Sequence, residues 1–170
     1  MSYLKGGNMK IRQVQLSDLP IIFQIETDNF SEAEVAGYDA IKLRISETPD
    51  TFLVAEIDGQ VAGYIEGPVI GSKHLTDDLF KTVAKNPATG GYIAVTSLSV
   101  AAQFQDQSVG KQLIIALKAL AKKQGRDGIT LTCHDYLIGY YEKNGFTNQG
   151  LSASTYGGGV WYEMVWDTKD

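Results

Sequence analysis

Residues 95–112 read VTSLSVAAQFQDQSVGKQ, and this stretch decides how the neighbouring segments can be arranged. An apolar run ends at Val100, a short polar segment follows, and an apolar helical pattern begins after Gly110. Such a strand–turn–helix junction directs backbone N–H groups and the positive end of a helix dipole at one spot, which favours an anion such as phosphate. Gly110 would let a phosphate approach the backbone, and Lys111 would add a positive charge. An ordinary strand-to-helix turn with one glycine has the same pattern, so the junction alone does not identify a phosphate site.

The segments on either side of this junction alternate between strand and helix patterns. Residues 92–100 are apolar enough for a strand buried on both faces, and residues 111–123 carry apolar side chains at helical spacing. Earlier in the chain, two β-branched runs are joined by Asp58 and Gly59, the pair that a type I′ hairpin turn favours. These patterns predict one α/β domain over residues 9–170. Residues 1–8 have no such period, and we expect a flexible start or a cloning remnant there.

Capping and breaker residues predict further helices. A helix capped by Ser17 has its apolar face toward the core, and a second helix runs from about residue 31 or 35 to residue 45. A short helix is expected around residues 77–85, within an otherwise polar segment, and another over residues 136–143.

Composition excludes several classes of protein. The 170 residues are 44% apolar, but no apolar run is long enough to cross a membrane, and no signal-peptide pattern is present. A formal net charge of −5 argues against a nucleic-acid partner, which would favour a basic surface. Cys133 is the only cysteine, so no internal disulfide can form, and the cytoplasm is the expected compartment. The two histidines, His74 and His134, lack metal-ligand spacing, so no metal is expected.

A second motif, YEKNGF, follows the segment CHDYLIG. With the segment QDQSVG, it makes the chain resemble the GCN5-related N-acetyltransferase superfamily (GNAT), and within it the arylalkylamine (serotonin-type) N-acetyltransferases. The superfamily's cofactor motif is Arg or Gln, two residues, Gly, one residue, then Gly or Ala, and Ser108 stands at its first glycine. We expect the backbone to accept this serine only if its φ angle is negative. The resemblance covers nearly all of residues 10–166, and its other matching segments are residues 23–30, 98–100, 133–135 and 160–164.

The resemblance implies an α/β (α+β) fold with a central mixed, mostly antiparallel twisted sheet of about seven strands flanked by helices. It implies transfer of acetyl from acetyl-CoA to a small primary amine, arylalkylamine- or polyamine-like, by direct attack on the thioester. Two alternatives stay open, namely acetylation of a protein amine and a non-catalytic acyl-CoA-binding or sensing domain. A nucleotide-binding module lacks support, because no Gly-rich fingerprint follows the first strand. The resemblance permits a monomer or a homodimer.

The resemblance also places the cofactor mainly on backbone groups. The pantetheine arm would pair with the strand segment 98–100 as an added strand does, and an N–H near Leu98 or Ser99 would donate to the developing oxyanion. The pyrophosphate would lie on the N–H groups of the following turn. The expected cofactor-binding residues are Leu98, Ser99, Val100, Gln105, Asp106, Gln107, Ser108, Val109, Gly110 and Lys111.

The expected general acid is Tyr141, the tyrosine of the YEKNGF motif. A phenol with a pKa near 10 is protonated at neutral pH and can protonate a thiolate whose thiol has a pKa of about 8.5. Tyr140 is expected instead to pack its short helix against the sheet.

The general base is less well defined. Vertebrate arylalkylamine acetyltransferases carry two histidines where this chain has Ala94 and Thr96. An amine of pKa near 10 must still lose a proton, and Glu66, Glu26 and His134 are the candidates, with no base as a further alternative.

The expected acceptor-binding residues are two aromatic side chains and one carboxylate. Phe30 and Trp161 stand where the family places aromatic groups around its aryl substrate, although core packing explains them equally well. The family's proline between the first two helices is missing here. Glu163, expected on the same side of its strand as Trp161, would receive a cationic amine or remain a solvated charge.

Overall fold

The computed structural model describes residues 8–77 and 84–169. The strands are β1 (Met9–Gln13), β2 (Phe52–Ile57), β3 (Gln60–Glu66), β4 (Val69–Ile70), β5 (Tyr92–Val95), β6 (Ser97–Val100), β7 (Gly128–Cys133), β8 (Thr147–Leu151) and β9 (Tyr162–Asp167). The helices are α1 (Leu19–Asn29), α2 (Tyr38–Glu47), α3 (Val109–Lys123) and α4 (Ile138–Lys143). Short 3-10 segments lie at Leu16–Asp18, Pro49–Thr51, Ala102–Gln107, Asp135–Leu137 and Tyr156–Gly158. The short helix expected around residues 77–85 falls on residues 78–83, which lie outside the described residues, as do residues 1–7.

The strands form two sheets. One has the order β1-β2-β3-β6 and the other β4-β5-β7-β9-β8. Only β5 and β7 pair in parallel within the described residues, and the other pairs are antiparallel. The expected mixed, mostly antiparallel α/β architecture with flanking helices is confirmed, with nine strands in the described part of the chain. No helix within the described ranges is both long and apolar enough to span a membrane.

The strand predicted over residues 92–100 is interrupted at Thr96, and the two sheets part there. β5 pairs with β7 of the second sheet, whereas β6 pairs with β3 of the first. Thr96 N–H donates to the carbonyl of Glu66 at 2.9 Å, although Ser97 is the register partner of Glu66. Two consecutive residues therefore oppose one residue of β3, and such a bulge bends the strand. As a result, a gap opens between β6 and β7.

The chain also crosses between the sheets directly after β3, at Gly67 and Pro68. Ala94 N–H donates to the Pro68 carbonyl at 2.8 Å, which holds the crossing chain against β5. A Cβ atom on Gly67 would overlap the carbonyl oxygen of Ala94, so only glycine fits at this crossing.

Apolar side chains on the two faces of the first sheet belong to two core clusters. Along β2, Leu53, Ala55 and Ile57 belong to the cluster that contains α3, while Phe52 and Val54 pack with α1 and α2. This alternation is the period of two that a strand imposes. The apolar stripe predicted over residues 111–123 is confirmed, because α3 buries Leu113, Ile114 and Leu117 against the sheets.

The sequence predicted the hairpin turn after β2 correctly and placed the start of the second helix too early. Asp58 (φ +51°) and Gly59 (φ +79°) both have the left-handed backbone of a type I′ turn, which confirms the hairpin. The second helix begins only at Tyr38, later than predicted. Ser31 instead accepts turn hydrogen bonds from Glu34 and Val35, and Gly37 is the extended N-cap residue.

Candidate active site

A cavity of about 670 Å³ occupies the gap between β6 and β7. It is lined on one side by β6 and the end of α1, and on the other by the end of β7 and the segments that follow β7 and β8. Eight of the predicted site residues line it: Phe30, Leu98, Ser99, Val100, Gln105, His134, Tyr141 and Trp161.

One edge of β6 faces this cavity without a strand partner, because β6 is the outermost strand of the first sheet. Ala101 N–H donates to the Ala62 carbonyl at 2.8 Å, toward β3. Since successive N–H groups of a strand point in opposite directions, those of Leu98 and Val100 point toward the gap. An extended ligand with amide groups can therefore bond to this edge.

A second cavity, of about 530 Å³, lies at the start of α3. The N–H groups of Val109, Gly110 and Lys111 belong to the first helical turn and have no acceptor within the helix. Together with the helix dipole and the Lys111 and Lys143 side chains, they make this cavity suitable for an anion. Its lining includes Val100, Gln105, Asp106, Ser108, Val109, Gly110, Lys111, Tyr140, Lys143 and Asn144.

Two residues of this turn differ from expectation. Ser108 has φ +60° and ψ +25°, so the prediction of a negative φ is wrong. The chain reverses here between the 3-10 segment Ala102–Gln107 and α3, and the left-handed conformation makes that reversal. Gln107 lines neither of the two described cavities, and its Oε1 is buried without a hydrogen-bond partner.

The two adjacent tyrosines of α4 have different environments. Tyr141 is 8% exposed, lines the larger cavity and packs edge-on against Phe146 at 5.7 Å between ring centroids. Burial raises the pKa of Tyr141 well above its usual value near 10, so the phenol is protonated at neutral pH. Tyr140 was expected to pack against the sheet, but it is 37% exposed and does not do so. Its hydroxyl lies instead over Gly110, where an added Cβ would be 2.6 Å away.

The candidate bases Glu26 and Glu66 lie in a buried cluster at the point where β5 and β6 separate. Ser97 Oγ donates to Glu26 Oε1 at 3.2 Å, and Thr96 Oγ1 donates to Glu66 Oε1 at 2.6 Å. Arg44 Nη1 donates to the same oxygen of Glu66 at 3.0 Å. Thr96 and Ser97 line the cavity, whereas the two carboxylates do not. Each carboxylate can therefore be reached from the cavity through one hydroxyl group.

The two carboxylates differ in what balances their charge. Burial, and then the negative charge of Glu66, raise the pKa of Glu26 to about 7, against the opposing effect of Arg44. Arg44 forms an ion pair with Glu66, whereas no ion pair to Glu26 is found among the described residues. Oε2 of each carboxylate is buried without a hydrogen-bond partner among those residues. The pKa of Glu26 therefore lies in the range that suits a general base at neutral pH.

The third candidate base, His134, lies in an aromatic stack on the far side of the cavity. Its Nε2 is 2.8 Å from Glu34 Oε1, its ring centroid is 4.2 Å from that of Trp161, and Tyr136 stacks on it at 5.5 Å. Glu34, Tyr136 and Trp161 also line the cavity.

The structure does not bring Glu163 into either described cavity. Glu163 Oε2 is 2.9 Å from His74 Nδ1, and the carboxylate is largely buried beside that histidine. Trp161 precedes β9, so the strand alternation expected to place both side chains on one face does not apply.

Five residues in or beside the cavity were not predicted from the sequence. Tyr156 lines the cavity, the Tyr64 hydroxyl is 3.3 Å from Ser97 Oγ, and the other three are Glu34, Arg44 and Ser97. The spacing of residues along the sequence could have predicted two contacts between α1 and β6. Glu26 and Asn29 are three residues apart on α1, and they bond Ser97 and Ser99, two residues apart on β6. These spacings place each pair on one face of its element.

The comparisons with known proteins agree with this geometry. A model of the acetyltransferase (GNAT) family matches residues 19–146. Ard1 from Thermoplasma volcanium is similar at 21% identity, with a TM-score of 0.71 over 94% of this chain and 97% of that one. The loading GNATL domain of CurA from Lyngbya majuscula is similar at 12% identity, with a TM-score of 0.78 over 96% and 99%. No curated protein matches the sequence.

A third similar structure contains coenzyme A, which is what acetyl-CoA becomes after it gives up its acetyl group. The PaiA N-acetyltransferase from Thermoplasma acidophilum, in complex with coenzyme A, is 18% identical, with a TM-score of 0.65 over 94% of this chain and 99% of that one. At these identities the likeness supports the fold, while the family match covers most of the chain. The chain therefore belongs to the acetyltransferase (GNAT) family, whose enzymes use acetyl-CoA.

Proposed function

We propose that this protein acetylates a small primary amine, arylalkylamine- or polyamine-like, by direct attack of the amine nitrogen on the thioester of acetyl-CoA. The observation that carries the proposal is the single cavity between β6 and β7. The open edge of β6, Tyr141 and the hydroxyl of Ser97 in front of Glu26 all border that cavity.

The backbone supplies most of the contacts to the cosubstrate. Acetyl-CoA provides the activated thioester, and the outward N–H groups of Leu98 and Val100 would bond its amide-rich arm. The Leu98 N–H, at the thioester end of this arm, would donate to the oxyanion, because it lies at the start of β6, next to the point where the two sheets part. The first turn of α3, with Lys111, would hold the pyrophosphate. Both cavities have the shape and donors that such a molecule requires.

Glu26, acting through Ser97, is the proton acceptor that the geometry favours among the three candidates. Glu66 Oε1 is already held by Arg44 and Thr96, and His134 is held by Glu34 across the cavity. An alkylammonium of pKa near 10 must lose a proton before it attacks. That proton would pass to Ser97 Oγ while the Ser97 proton passes to Glu26 Oε1.

Tyr141 donates the second proton of the reaction. The nitrogen attacks the thioester carbon and the carbonyl oxygen becomes the oxyanion. As the carbonyl re-forms and the C–S bond breaks, the departing thiolate takes the phenolic proton of Tyr141, and the second proton of the nitrogen passes to the Tyr141 phenolate. The raised pKa of Tyr141 keeps the phenol protonated at neutral pH, and it makes the phenolate an effective acceptor for the nitrogen proton.

The acceptor end of the cavity favours an amine with an apolar or cationic body. Phe30 and Trp161 supply aromatic surface, and Glu34 supplies negative charge. We also propose a cytoplasmic location, because the only cysteine, Cys133, is buried and unpaired.

A panel assay tests the proposal. Purified protein with acetyl-CoA is given arylalkylamines, polyamines and peptides with free N-termini, and CoA release is measured. We expect turnover with the small amines and none with the peptides. Turnover restricted to peptides would support acetylation of a protein amine, and CoA binding without turnover on any amine would support a sensing domain.

A further inference from the structure

The cavity has a carboxylate, Glu34, that takes no part in the proposed proton transfers. Glu34 lies in the connection between α1 and α2, and its side chain lines the cavity while remaining only 20% exposed. Its Oε1 accepts from His134 at 2.8 Å, and its backbone carbonyl accepts from the Tyr156 hydroxyl at 3.1 Å. The Glu34 carboxylate is therefore held in position before any ligand arrives.

Aromatic rings surround this carboxylate. His134 stacks between Trp161 and Tyr136, and Trp161 Nε1 donates to the Tyr156 carbonyl at 2.8 Å, which orients the indole. Aromatic faces next to a carboxylate attract cations, because the ring quadrupole and the negative charge act in the same direction.

The positive charge that would satisfy this site is not supplied by the cavity wall. Among the described residues that line the cavity, none is a lysine or an arginine. Arg44, behind the wall, is paired with Glu66. His134 also lines the cavity, and its Nε2, 2.8 Å from Glu34 Oε1, orients the carboxylate.

Glu34 lines the cavity, whereas Glu26 lies behind its β6 wall. Glu26 bonds Ser97 of β6, whereas Glu34 bonds His134, which follows β7. An amine that reacts at β6 and is long enough to cross the cavity would present its far end to Glu34.

We propose that Glu34, with the stack of Trp161, His134 and Tyr136, forms a subsite for a second cationic group of the acceptor. The preferred acceptor is then a diamine or polyamine rather than a monoamine. This inference rests on the proposed function and narrows the substrate class at the same site.

The test compares 1,4-diaminobutane with butylamine, which has the same carbon chain and lacks the second cation. We expect the wild-type protein to acetylate the diamine with at least a tenfold higher kcat/KM. Glu34→Gln should raise KM for the diamine about tenfold, with kcat and the butylamine constants little changed. Glu34→Asp, which retains the charge, should restore part of the preference.

Glu32→Gln is the matched control, since Glu32 is exposed, carries the same charge and does not line the cavity. It should leave the diamine preference intact. A preference that survives Glu34→Gln in a protein with an unchanged melting temperature, or a wild-type protein that favours butylamine, would overturn the inference and leave the proposed function standing. Failure of the wild-type protein to acetylate either amine, or any other small amine, would reject the proposed function itself.

Discussion

The hydroxyl of Tyr141 is the one acid that the proposed mechanism places beside the departing thiolate. Tyr141→Phe removes only that hydroxyl and keeps the ring that packs against Phe146. We expect kcat to fall by about 10²–10⁴, the usual contribution of a general acid, with little change in the affinity for acetyl-CoA. Steady-state kinetics and calorimetric titration with CoA measure the two quantities.

Tyr140→Phe is the control for this substitution, because the neighbouring tyrosine lies over Gly110 and does not line the larger cavity. Its kcat should stay within a few-fold of the wild-type value. Equal losses in the two variants would mean that Tyr141 acts through packing rather than as an acid.

The raised pKa of Glu26 predicts a specific pH dependence of catalysis. The kcat/KM for a small amine should rise with pH through about 7, as Glu26 loses its proton and becomes a base. Glu26→Gln should lower kcat/KM and abolish this rise, while Asp28→Asn, an exposed change on the same helix, should leave the profile intact. An unchanged rise in Glu26→Gln would assign the base to another group.

The Glu26 carboxylate should make the folded protein less stable as the pH rises, although the same rise in pH increases kcat/KM. Its pKa is about 7 in the folded protein against 4.5 as the ordinary value, so the folded state binds the extra proton between these values. The contribution of Glu26 is therefore present below pH 4.5 and is lost as the pH rises through about 7, by about 3 kcal/mol in total. Urea unfolding at pH 5 and pH 8 should show a smaller decrease for Glu26→Gln than for the wild-type protein.

Ser108 carries a conformational penalty that glycine would remove. Its φ of +60° is unfavourable for a residue with a Cβ atom by about 1 kcal/mol. Ser108→Gly should therefore raise the free energy of unfolding by up to about 1 kcal/mol, reduced by the greater entropy of the unfolded glycine chain, and should leave CoA binding intact. Valine disfavours this backbone conformation more than serine does. Ser108→Val should therefore lower both the free energy of unfolding and the affinity for CoA. Chemical denaturation and CoA titration of both variants provide the check.

At the scale of elements, the crossing from β3 to β4 depends on Gly67. Gly67→Ala places a Cβ on the Ala94 carbonyl and should destabilise the protein by about 3 kcal/mol or more, because backbone must move on both sides. Gly71→Ala, where an added Cβ meets nothing within 4 Å, should change stability by less than about 0.5 kcal/mol. Thermal melting of the two variants compares them, and similar melting temperatures would show that the crossing tolerates a side chain.

Elements with a strong local signal were predictable from the sequence. The apolar spacing of α3 and the turn pair Asp58 and Gly59 each specify their structure within a few residues. The break at Thr96 could not be predicted from the sequence, because apolar residues are found on both sides of it. The break arises because β5 pairs with β7, whereas β6 pairs with β3. A run of apolar residues shows that a segment is buried without showing which neighbours it pairs with.

At the scale of the whole molecule, the residues predicted for the cofactor lie closer together in the structure than the residues predicted for the acceptor. The cofactor segment is contiguous, so its motif carries its own geometry. The acceptor side is assembled from residues as distant as Glu34 and His134, which are 100 positions apart. The predicted position of Glu163 differs from the structure for the same reason. Its partner, His74, is distant from it in the sequence.

The overall charge of −5 also acquires a structural explanation. Carboxylates such as Glu26, Glu66 and Glu34 lie in or behind the walls of the larger cavity, where they favour a cationic acceptor. We propose that the anionic cosubstrate instead binds the local donors at the start of α3 and Lys111.

The most direct test of the central claim is the detection of the product. The wild-type protein and Tyr141→Phe are incubated with isotopically labelled acetyl-CoA and 1,4-diaminobutane, and the amine is examined by mass spectrometry. We predict a mono-acetylated amine carrying the label, formed at least a hundredfold more slowly by Tyr141→Phe. A wild-type protein that binds CoA but leaves this and every other small amine unlabelled would contradict the account.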